Sequence, residues 1–326
     1  MTPDLPCTGR ARAHANIAVA KYWGKRDESR NLPLFDSVAF TVDGLTTETT
    51  ATWDGDESRD VLVINGWQVP GHQLSRATRI LDAIRERTGI VGRCVLHSTN
   101  NFPLSAGLAS SASGCAAAAL AASSAAGLSL SSNELSALAR LGSGSASRSI
   151  PGGWTRWYAG SAPDGSDSFA RTIAPATHWP LHVFVMLVAD GPKDVSSTEA
   201  MRRCMESPFW DAYAREAASA ADAAQDAILQ RDFGALSKAM HHNALLLHAL
   251  ALSCHEPICF FAPKSIEILR HVLRTATAAP VCCTLDAGAN VVVLCDENVC
   301  PFVKNDLTAT GIPFLQCRIG EGARVL

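Results

Sequence analysis

The chain has 326 residues and a formal net charge of -3, from 28 Lys and Arg against 31 Asp and Glu. This length exceeds one ordinary hydrophobic core and predicts two domains. The near balance of charge excludes a general attraction for nucleic acid or for an anionic membrane. A stretch rich in Pro, Gly, Ser and Asp at 161–179 precedes an apolar run, so we place the domains at 1–180 and 181–326.

The cysteines and the N-terminus indicate the cellular compartment. The 11 cysteines are an odd number, form no CxxC pair and lie mostly in apolar runs. Such cysteines are typical of buried free thiols in a reducing cytosol rather than of a disulfide framework. The first residues lack the apolar core of a signal peptide, and no segment supplies about 20 strongly apolar residues. We therefore expect a cytoplasmic protein without a membrane or nucleic-acid partner.

The N-terminal half is predicted to begin with strands and continue with helices. Predicted strands are 12–42, interrupted by a polar segment at 21–28, then 46–53, 60–69 and a strand near 94–97. Asn65-Gly66 predicts a tight hairpin turn inside the third of these. A helix with apolar residues at 74, 80, 81 and 84 follows and ends at Gly89. An alanine-rich helix reaching 126 and a helix at 132–141 complete this half.

The C-terminal half is predicted to be mainly helical around a few buried strands. Predicted strands are 181–189, 281–287 and 291–295, and predicted helices are 197–205, 208–230, 233–252, 263–275 and about 300–310. We find no internal repeat.

The segment 103–112 is rich in glycine, alanine and serine and leads into the alanine-rich helix. Small residues leave backbone N–H groups free to face an anion where a helix begins, and the helix dipole adds positive potential there. The hydroxyls of Ser105, Ser110 and Ser111 can donate to phosphate or ligate magnesium. The pattern is not a Walker motif, because no Gly-Lys-Ser/Thr follows. From composition alone, a tightly packed helix start explains the segment equally well.

A second glycine- and serine-rich segment, 142–149, contains Arg148, whose guanidinium can bind a carboxylate or phosphate through two hydrogen bonds. Two anion-binding segments suggest two phosphorylated ligands. The polar segment at 21–28 would add two cations and a phenol, from Lys21, Tyr22 and Lys25. A solvated surface is the alternative, but the position directly after an apolar strand beginning at Asn16 favours a pocket.

Asp286 follows an apolar strand and precedes Ala-Gly, where a glycine permits close approach of the backbone. This position suits a base or a group that orients a substrate, although an aspartate that stabilises a turn is the alternative. His241, His242 and His248 lie on one predicted helix without a carboxylate motif. We interpret them as surface or packing residues rather than metal ligands.

Several of these segments resemble known enzymes. Segment 103–112 resembles the ATP-phosphate loop of the superfamily of galactokinase, homoserine kinase, mevalonate kinase and phosphomevalonate kinase. Segments 16–26, 142–149 and 284–290 and the closing 319–326 resemble mevalonate diphosphate decarboxylase. The resemblance covers nearly the whole chain in the right order.

The resemblance implies an α+β, two-domain GHMP-kinase-like fold with the active site in the cleft between domains. The N-terminal domain would be ribosomal protein S5 domain 2-like, and the C-terminal domain a ferredoxin-like antiparallel sheet with helices. It further implies ATP and Mg²⁺ as cofactors, a phosphorylated small-molecule substrate and a homodimer. The implied reaction is ATP-dependent decarboxylation of mevalonate 5-diphosphate to isopentenyl diphosphate, through phosphorylation of the 3-hydroxyl and loss of phosphate and carbon dioxide.

The resemblance also assigns roles to residues. Catalytic roles fall to Asp286, Lys21 and Arg148. Substrate binding falls to Asn16, Tyr22, Lys25, Ser143, Gly144, Ser145 and Arg148. ATP binding falls to Ser105, Gly107, Leu108, Ala109, Ser110 and Ser111, with Ser110 also a magnesium ligand.

The sequence departs from the family pattern at Phe35, Asp36 and Ala39, where an asparagine and two serines are usual. An aspartate facing a phosphate pocket would repel the ligand unless a cation compensated. The departures leave two alternatives open. One is a decarboxylase of the same fold with another substrate, such as mevalonate 5-phosphate or a different 3-hydroxy acid, and the other is a catalytically silent nucleotide-binding paralogue.

Overall fold

The computed structural model describes residues 8–54, 59–102, 110–188 and 194–326. Two β-sheets organise the described chain, one mixed and mostly from the N-terminal half, the other antiparallel and from the C-terminal half. Helices cover both sheets, in agreement with the predicted α+β architecture.

The first sheet has eight strands. Its path is β14-β1-β4-β7-β5-β6, with β8 paired to β4 and β9 paired to β8. All of its pairings are antiparallel except the one between β5 and β7. Its strands are β1 (Thr8–Ala20), β4 (Ser37–Asp54), β5 (Val61–Ile64), β6 (Trp67–Gln68), β7 (Arg93–Asn100), β8 (Trp154–Trp157), β9 (Ala170–Ala174) and β14 (Arg324–Val325). A separate small hairpin joins β2 (Lys25–Asp27) to β3 (Leu32–Pro33).

The second sheet is a four-stranded antiparallel sheet in the order β11-β12-β10-β13. Its strands are β10 (His182–Met186), β11 (Val281–Leu285), β12 (Val291–Cys295) and β13 (Phe314–Arg318). Every residue of β10, β11 and β12 is buried, which explains their continuous apolar sequences. After β13 the chain returns to the first sheet, where Arg324 pairs with Arg12.

The described chain forms these α-helices: α1 (His72–Thr88), α2 (Ser110–Ala125), α3 (Ser132–Gly142), α4 (Ser197–Met205), α5 (Trp210–Gln230), α6 (Phe233–Leu252), α7 (Pro263–Thr275) and α8 (Cys300–Ala309). Helix α3 starts with a capping box between Ser131 and Glu134. Helix α2 lies very close to β1, since a Cβ atom on Gly9 would lie 2.7 Å from the backbone nitrogen of Ala125. The alanines of α2 allow this approach.

Most predicted elements are confirmed, and the structure refines or explains three of them. The strand predicted at 46–53 is the second half of β4, which bends at Gly44 (φ 91°) without leaving the sheet. The helix predicted from 208 begins at Trp210, because Ser207 caps a turn by accepting the N–H of Phe209. The hairpin turn at Asn65 (φ 51°) and Gly66 (φ 84°) is confirmed.

One hydrophobic cluster joins the two halves. It contains Ile17 and Phe40 of the first sheet, Val183 of the second, and buried residues of α5 and α6 such as Ile228 and Met240. The two sheets are therefore held in a fixed relation by shared core packing. Among the described helices, none combines the length and apolar character that crossing a bilayer requires.

The ten described cysteines are all free, as the sequence predicts. Eight of them are buried, including Cys282 and Cys283 on β11.

Candidate active site

A cavity of about 790 Å³ lies where β1, the starts of α1, α2 and α4, and the end of β11 converge. Residues predicted from the sequence that line it are Asn16, Lys21, Tyr22, Lys25, Ser110, Ser111, Ser143, Gly144, Ser145, Arg148 and Asp286. The structure thus brings together all the predicted residues that it describes. The predicted ATP-binding residues Ser105, Gly107, Leu108 and Ala109 lie outside the described residues.

Lys21 and Asp286 form an ion pair at the cavity wall, with 2.6 Å between Nζ and Oδ1. The Lys21 ammonium also donates to the carbonyl of Ala18 (2.9 Å) and to Oγ1 of Thr284 (2.6 Å). Its three protons therefore have three acceptors. Burial lowers the pKa of Lys21, and the neighbouring Asp286 opposes that shift. The pair presents a partly exposed carboxylate, whose side chain is 29% accessible, against a fixed cation.

Arg148 is buried at the end of a short 3-10 helix, Gly144–Ser149. Its Nε donates to Oδ1 of Asn16 (3.1 Å), and one terminal nitrogen donates to Oγ of Ser37 (2.7 Å). Burial lowers the pKa of Arg148 to about 10, which still leaves it charged at neutral pH. Asp286 partly offsets this charge, and Arg148 lines the cavity, where its guanidinium can face an anionic ligand.

Asn16 links the same 3-10 helix to strand β1. Its amide nitrogen donates to the carbonyl of Ser145 (2.9 Å) and to Oγ of Ser149 (2.7 Å). Since its amide oxygen holds Arg148, Asn16 orients the guanidinium and is itself only 1% exposed. The sequence predicts that Asn16 binds substrate. The structure shows that Asn16 also forms hydrogen bonds within the protein, to the 3-10 helix and to Arg148.

Tyr22 lies under the glycine- and serine-rich segment. Its hydroxyl is buried and has no hydrogen-bond partner among the described residues. A Cβ on Gly144 would lie 2.6 Å from that hydroxyl, so only glycine fits there. The Tyr22 ring packs against Trp157 with 4.7 Å between centroids. Because an unpaired buried hydroxyl costs free energy, its position at the cavity indicates a place for a polar ligand atom.

The two predicted anion-binding segments meet through their serines. Oγ of Ser111, in the first turn of α2, lies 3.4 Å from Oγ of Ser143, and Ser143 lies 3.3 Å from Oγ of Ser145. The interpretation of both segments as parts of one binding site is therefore favoured over separate, tightly packed helix starts.

Lys25 extends the positive side of the cavity. Its ammonium donates to Oδ1 of Asn31 (2.8 Å) and to Oγ1 of Thr198 (3.3 Å). Burial, opposed by Glu28 and aided by the neighbouring Arg76 and Arg79, lowers the pKa of Lys25 to about 8. Lys25 therefore titrates near physiological pH.

Helix α1 contributes residues that sequence reasoning missed. His72, Gln73, Arg76 and Arg79 line the cavity. Positions 72, 76 and 79 recur at helical spacing, beside the apolar face that the sequence did predict. A polar stripe with two arginines next to a buried face was the available signal. Thr198, at the start of α4, was missed as a Lys25 partner for want of any local signal.

Phe35, Asp36 and Ala39 do not belong to the described lining of this cavity. Asp36 forms an ion pair with Arg156 (2.7 Å) and accepts the N–H of Ala159 (2.7 Å). Phe35 packs beside Trp210, with 6.3 Å between ring centroids, and Ala39 is fully buried in β4. The cation that compensates the charge of Asp36 is therefore the side chain of Arg156.

The histidines behave as packing residues, as the sequence predicts. His248 is 2% exposed and stacks on Phe261 with 4.3 Å between ring centroids. His241 accepts the N–H of Cys283 (3.0 Å), and His242 is paired with Glu216 at the surface. In the described ranges, no group of three or more His, Cys, Asp or Glu side chains is placed to hold a metal ion.

Comparison with known proteins identifies the family. Residues 13–170 match the diphosphomevalonate decarboxylase-like N-terminal domain, and residues 183–311 match the mevalonate 5-diphosphate decarboxylase C-terminal domain. The chain is 38% identical over 303 residues to the diphosphomevalonate decarboxylase of Candida albicans, covering 87% of this chain and 83% of that protein.

Solved structures agree over the full length. One, of MDDEF in complex with MVAPP, AMPPCP and magnesium, has a TM-score of 0.92 at 36% identity and covers 99% of each chain. Another, of the mevalonate diphosphate decarboxylase from Enterococcus faecalis, has a TM-score of 0.91 at 34% identity and again covers 99% of each chain. The predicted two-domain α+β fold is confirmed. This chain belongs to the diphosphomevalonate decarboxylase family.

Proposed function

We propose that this chain is a diphosphomevalonate decarboxylase. It would use ATP to convert mevalonate 5-diphosphate to isopentenyl diphosphate, ADP, phosphate and carbon dioxide. The observation that carries the proposal is the Lys21–Asp286 pair, whose carboxylate opens into the cavity that also contains Arg148 and the serines of both anion-binding segments. Family membership supports the same reaction.

Binding of the substrate is assigned to the positive side of the cavity. Tyr22 supplies an unpaired hydroxyl, and Lys25, Ser143 and Ser145 supply further donors around it. Arg148 offers a guanidinium held from behind by protein oxygens, which suits a carboxylate or a phosphate. Arg76 adds charge from helix α1. These groups match a ligand that carries both a diphosphate and a carboxylate.

The phosphoryl-transfer step is assigned to Asp286. Its carboxylate would accept the hydrogen bond of the tertiary 3-hydroxyl and orient that oxygen for attack. Lys21 fixes the carboxylate in place and balances its charge, since the ammonium is anchored by Ala18 and Thr284 as well. Phosphorylation is needed because a tertiary hydroxyl is a poor leaving group.

The elimination step follows from the same arrangement. Departure of the 3-phosphate leaves the tertiary carbon short of electrons. The substrate carboxylate then supplies an electron pair by losing carbon dioxide, and a carbon–carbon double bond forms. Arg148 would hold the carboxylate in line before the loss and stabilise the negative charge on the departing phosphate.

Nucleotide and magnesium binding are assigned to the start of helix α2. Ser110 and Ser111 lie in its first turn, where backbone N–H groups and the helix dipole favour phosphate. Magnesium in such sites is bound by one or two carboxylates plus phosphates, so it need not have a protein cage. Ser110 is the cavity residue that would hold it, and bound magnesium would neutralise phosphate charge. The solved complex of MDDEF with MVAPP, AMPPCP and magnesium supports a nucleotide and magnesium as ligands.

Three further assignments complete the proposal. The domain boundary at 180/181 falls in the gap between the two matched family domains, 13–170 and 183–311. A homodimer remains a prediction from the resemblance. A cytoplasmic location remains a prediction from the cysteines and the N-terminal sequence, supported by the free thiols of the described residues.

Product analysis tests the function. The purified protein would be incubated with MgATP and, separately, with mevalonate, its 5-phosphate and its 5-diphosphate, while ADP, phosphate, carbon dioxide and product mass are measured. We expect equal amounts of the three small products with the diphosphate alone. Turnover of the 5-phosphate instead would identify another substrate, ADP without carbon dioxide would indicate a kinase, and no turnover with any of them would indicate a silent paralogue.

A further inference from the structure

Helix α6 contacts the Lys21–Asp286 pair from behind. The backbone N–H of Lys21 donates to Oδ1 of Asn243 at 2.6 Å. Lys21 is 4% exposed and Asn243 is 3% exposed, so water does not compete for this hydrogen bond. Strand β1 ends at Ala20, and the Lys21 N–H therefore lies beyond the ladder of the sheet. Because an unpaired buried N–H is costly, Asn243 is the group that fixes this point of the backbone.

The position of the Lys21 backbone determines that of the carboxylate. Three short contacts, to Ala18, Thr284 and Asp286, use all three ammonium protons. A shift of the backbone at residue 21 must lengthen at least one of them. Since Thr284 lies in β11 of the second sheet and Asp286 directly follows that strand, Asn243 supports a contact between the sheets.

Asn243 does not touch the ligand space. It is absent from the described lining of the cavity, whereas its helix neighbour Leu247 is present. A residue placed in this way cannot contribute directly to substrate affinity. It can affect only the geometry of the groups that react.

We infer that Asn243 is a positioning residue, which holds the backbone of Lys21 so that the ammonium keeps the Asp286 carboxylate aligned with the substrate hydroxyl. This inference rests on the proposed function. It assigns to helix α6 a part in the phosphoryl-transfer step that the resemblance does not imply. A misplacement of about 1 Å at a reacting group can cost about 100-fold in rate.

Two substitutions separate positioning from general stability. Asn243→Leu has similar size and no acceptor, and Asn243→Asp keeps an acceptor oxygen at the same place. Thr41→Val is the matched control, because Oγ1 of Thr41 is a buried acceptor for the N–H of Gly153 (3.0 Å) and Thr41 does not belong to the described lining of the cavity. Steady-state kcat and KM for both substrates, and thermal unfolding, would be measured for all three.

We expect Asn243→Leu to lower kcat by about 10- to 100-fold while both KM values stay within about threefold of the parent, and Asn243→Asp to recover most of kcat. Thr41→Val should lower the unfolding temperature without changing kcat. If Asn243→Leu does not fold, Asn243→Ser replaces it, since a serine hydroxyl is too short to reach the N–H. Three results would overturn the inference. They are a kcat of Asn243→Leu equal to that of the parent, equal losses of kcat in the Leu and Asp variants, and a change confined to KM. An inactive parent protein would refute the proposed function instead.

Discussion

Nζ of Lys21 lies 2.6 Å from Oδ1 of Asp286, although 265 positions separate the two residues in the sequence. Lys21 follows β1 of the first sheet, and Asp286 follows β11, an edge strand of the second. Each sheet thus contributes one member of the pair. The geometry of the reacting carboxylate depends on how the two sheets are packed together.

Replacing the carboxylate tests its role most directly. Asp286→Asn preserves the shape of the side chain but removes the charge that faces the substrate hydroxyl. We expect kcat to fall by about 10²- to 10³-fold, because groups aimed at charge in the transition state contribute about 3–4 kcal/mol. Steady-state kinetics would check this. Asp296→Asn, a surface substitution at the start of a 3-10 turn, should retain full activity, and turnover of Asp286→Asn near the parent rate would contradict the assignment.

Arg148→Lys tests the guanidinium geometry. Lysine keeps a positive charge but cannot maintain contacts with Asn16 and Ser37 while it offers two parallel donors to a ligand. We expect kcat/KM for the phosphorylated substrate to fall by about 100-fold. Ser37→Ala, which removes only one supporting contact, should lose much less. A lysine variant with kcat/KM like the parent would show that charge alone is sufficient.

Tyr22→Phe tests whether the buried hydroxyl forms a hydrogen bond with the substrate. The hydroxyl has no partner in the described chain, so its loss should not lower the thermal unfolding temperature. A hydrogen bond to a charged group is worth about 1.5–3 kcal/mol, so KM for the substrate should rise about 10-fold or more. Tyr213→Phe is the matched control, because its hydroxyl is also buried and unpaired but lies outside the cavity lining. Equal KM values for the two variants would refute the proposed contact.

Lys25 should cause the activity of the enzyme to decline at alkaline pH. Burial lowers its pKa to about 8, so the ammonium loses its proton as the pH rises through that value. Because an anionic substrate needs the charged form, kcat/KM should decline above a pH of about 8. Lys25→Arg should keep activity and shift this decline of kcat/KM to a pH above the measurable range. If kcat/KM of the arginine variant declines at the same pH as that of the parent, the titrating group is another residue.

His248 should make the fold sensitive to acid. Burial, aided by the nearby Lys21 and opposed by Asp286, lowers its pKa to about 4. The unfolded chain therefore binds a proton between a pH of about 6.5 and 4 that the folded chain excludes, and stability falls as the pH decreases through this window. At a pH of about 5 the loss from this residue is about 2 kcal/mol.

The measurement is the free energy of unfolding in urea at neutral pH and at a pH of about 5. His248→Asn should show a smaller difference between the two values than the parent protein. His242→Asn, at an exposed position paired with Glu216, should behave like the parent. Identical pH dependence in the His248 variant and the parent would contradict a buried neutral imidazole.

Local sequence was sufficient for most secondary structure and for many candidate ligands. The apolar run of β11 followed by Asp286, and the glycine- and serine-rich segment around Ser143, are signals contained within a few residues. Helices α4, α6 and α7 have the predicted limits because their caps and apolar periodicity are encoded locally. Such signals also pointed to Lys21, in a polar segment directly after an apolar strand, and to Arg148, within the glycine- and serine-rich segment.

Other features depend on residues that are distant in the sequence. The sequence showed that Phe35 and Asp36 depart from the family pattern, but only the structure gives Asp36 its partner Arg156, 120 positions away. Asn243 carries no local signal either, because its importance comes from the single N–H that it faces.

The sequence by itself thus determined most of the helices, several of the strands, the family and the residue types available for catalysis. The tertiary structure alone decided that Lys21 meets Asp286, that helix α1 faces the cavity and that Asn243 supports the pair. The physical reason is that periodicity and capping act over a few residues. Contacts between sheets depend on the packing of whole buried faces, to which many distant side chains contribute together.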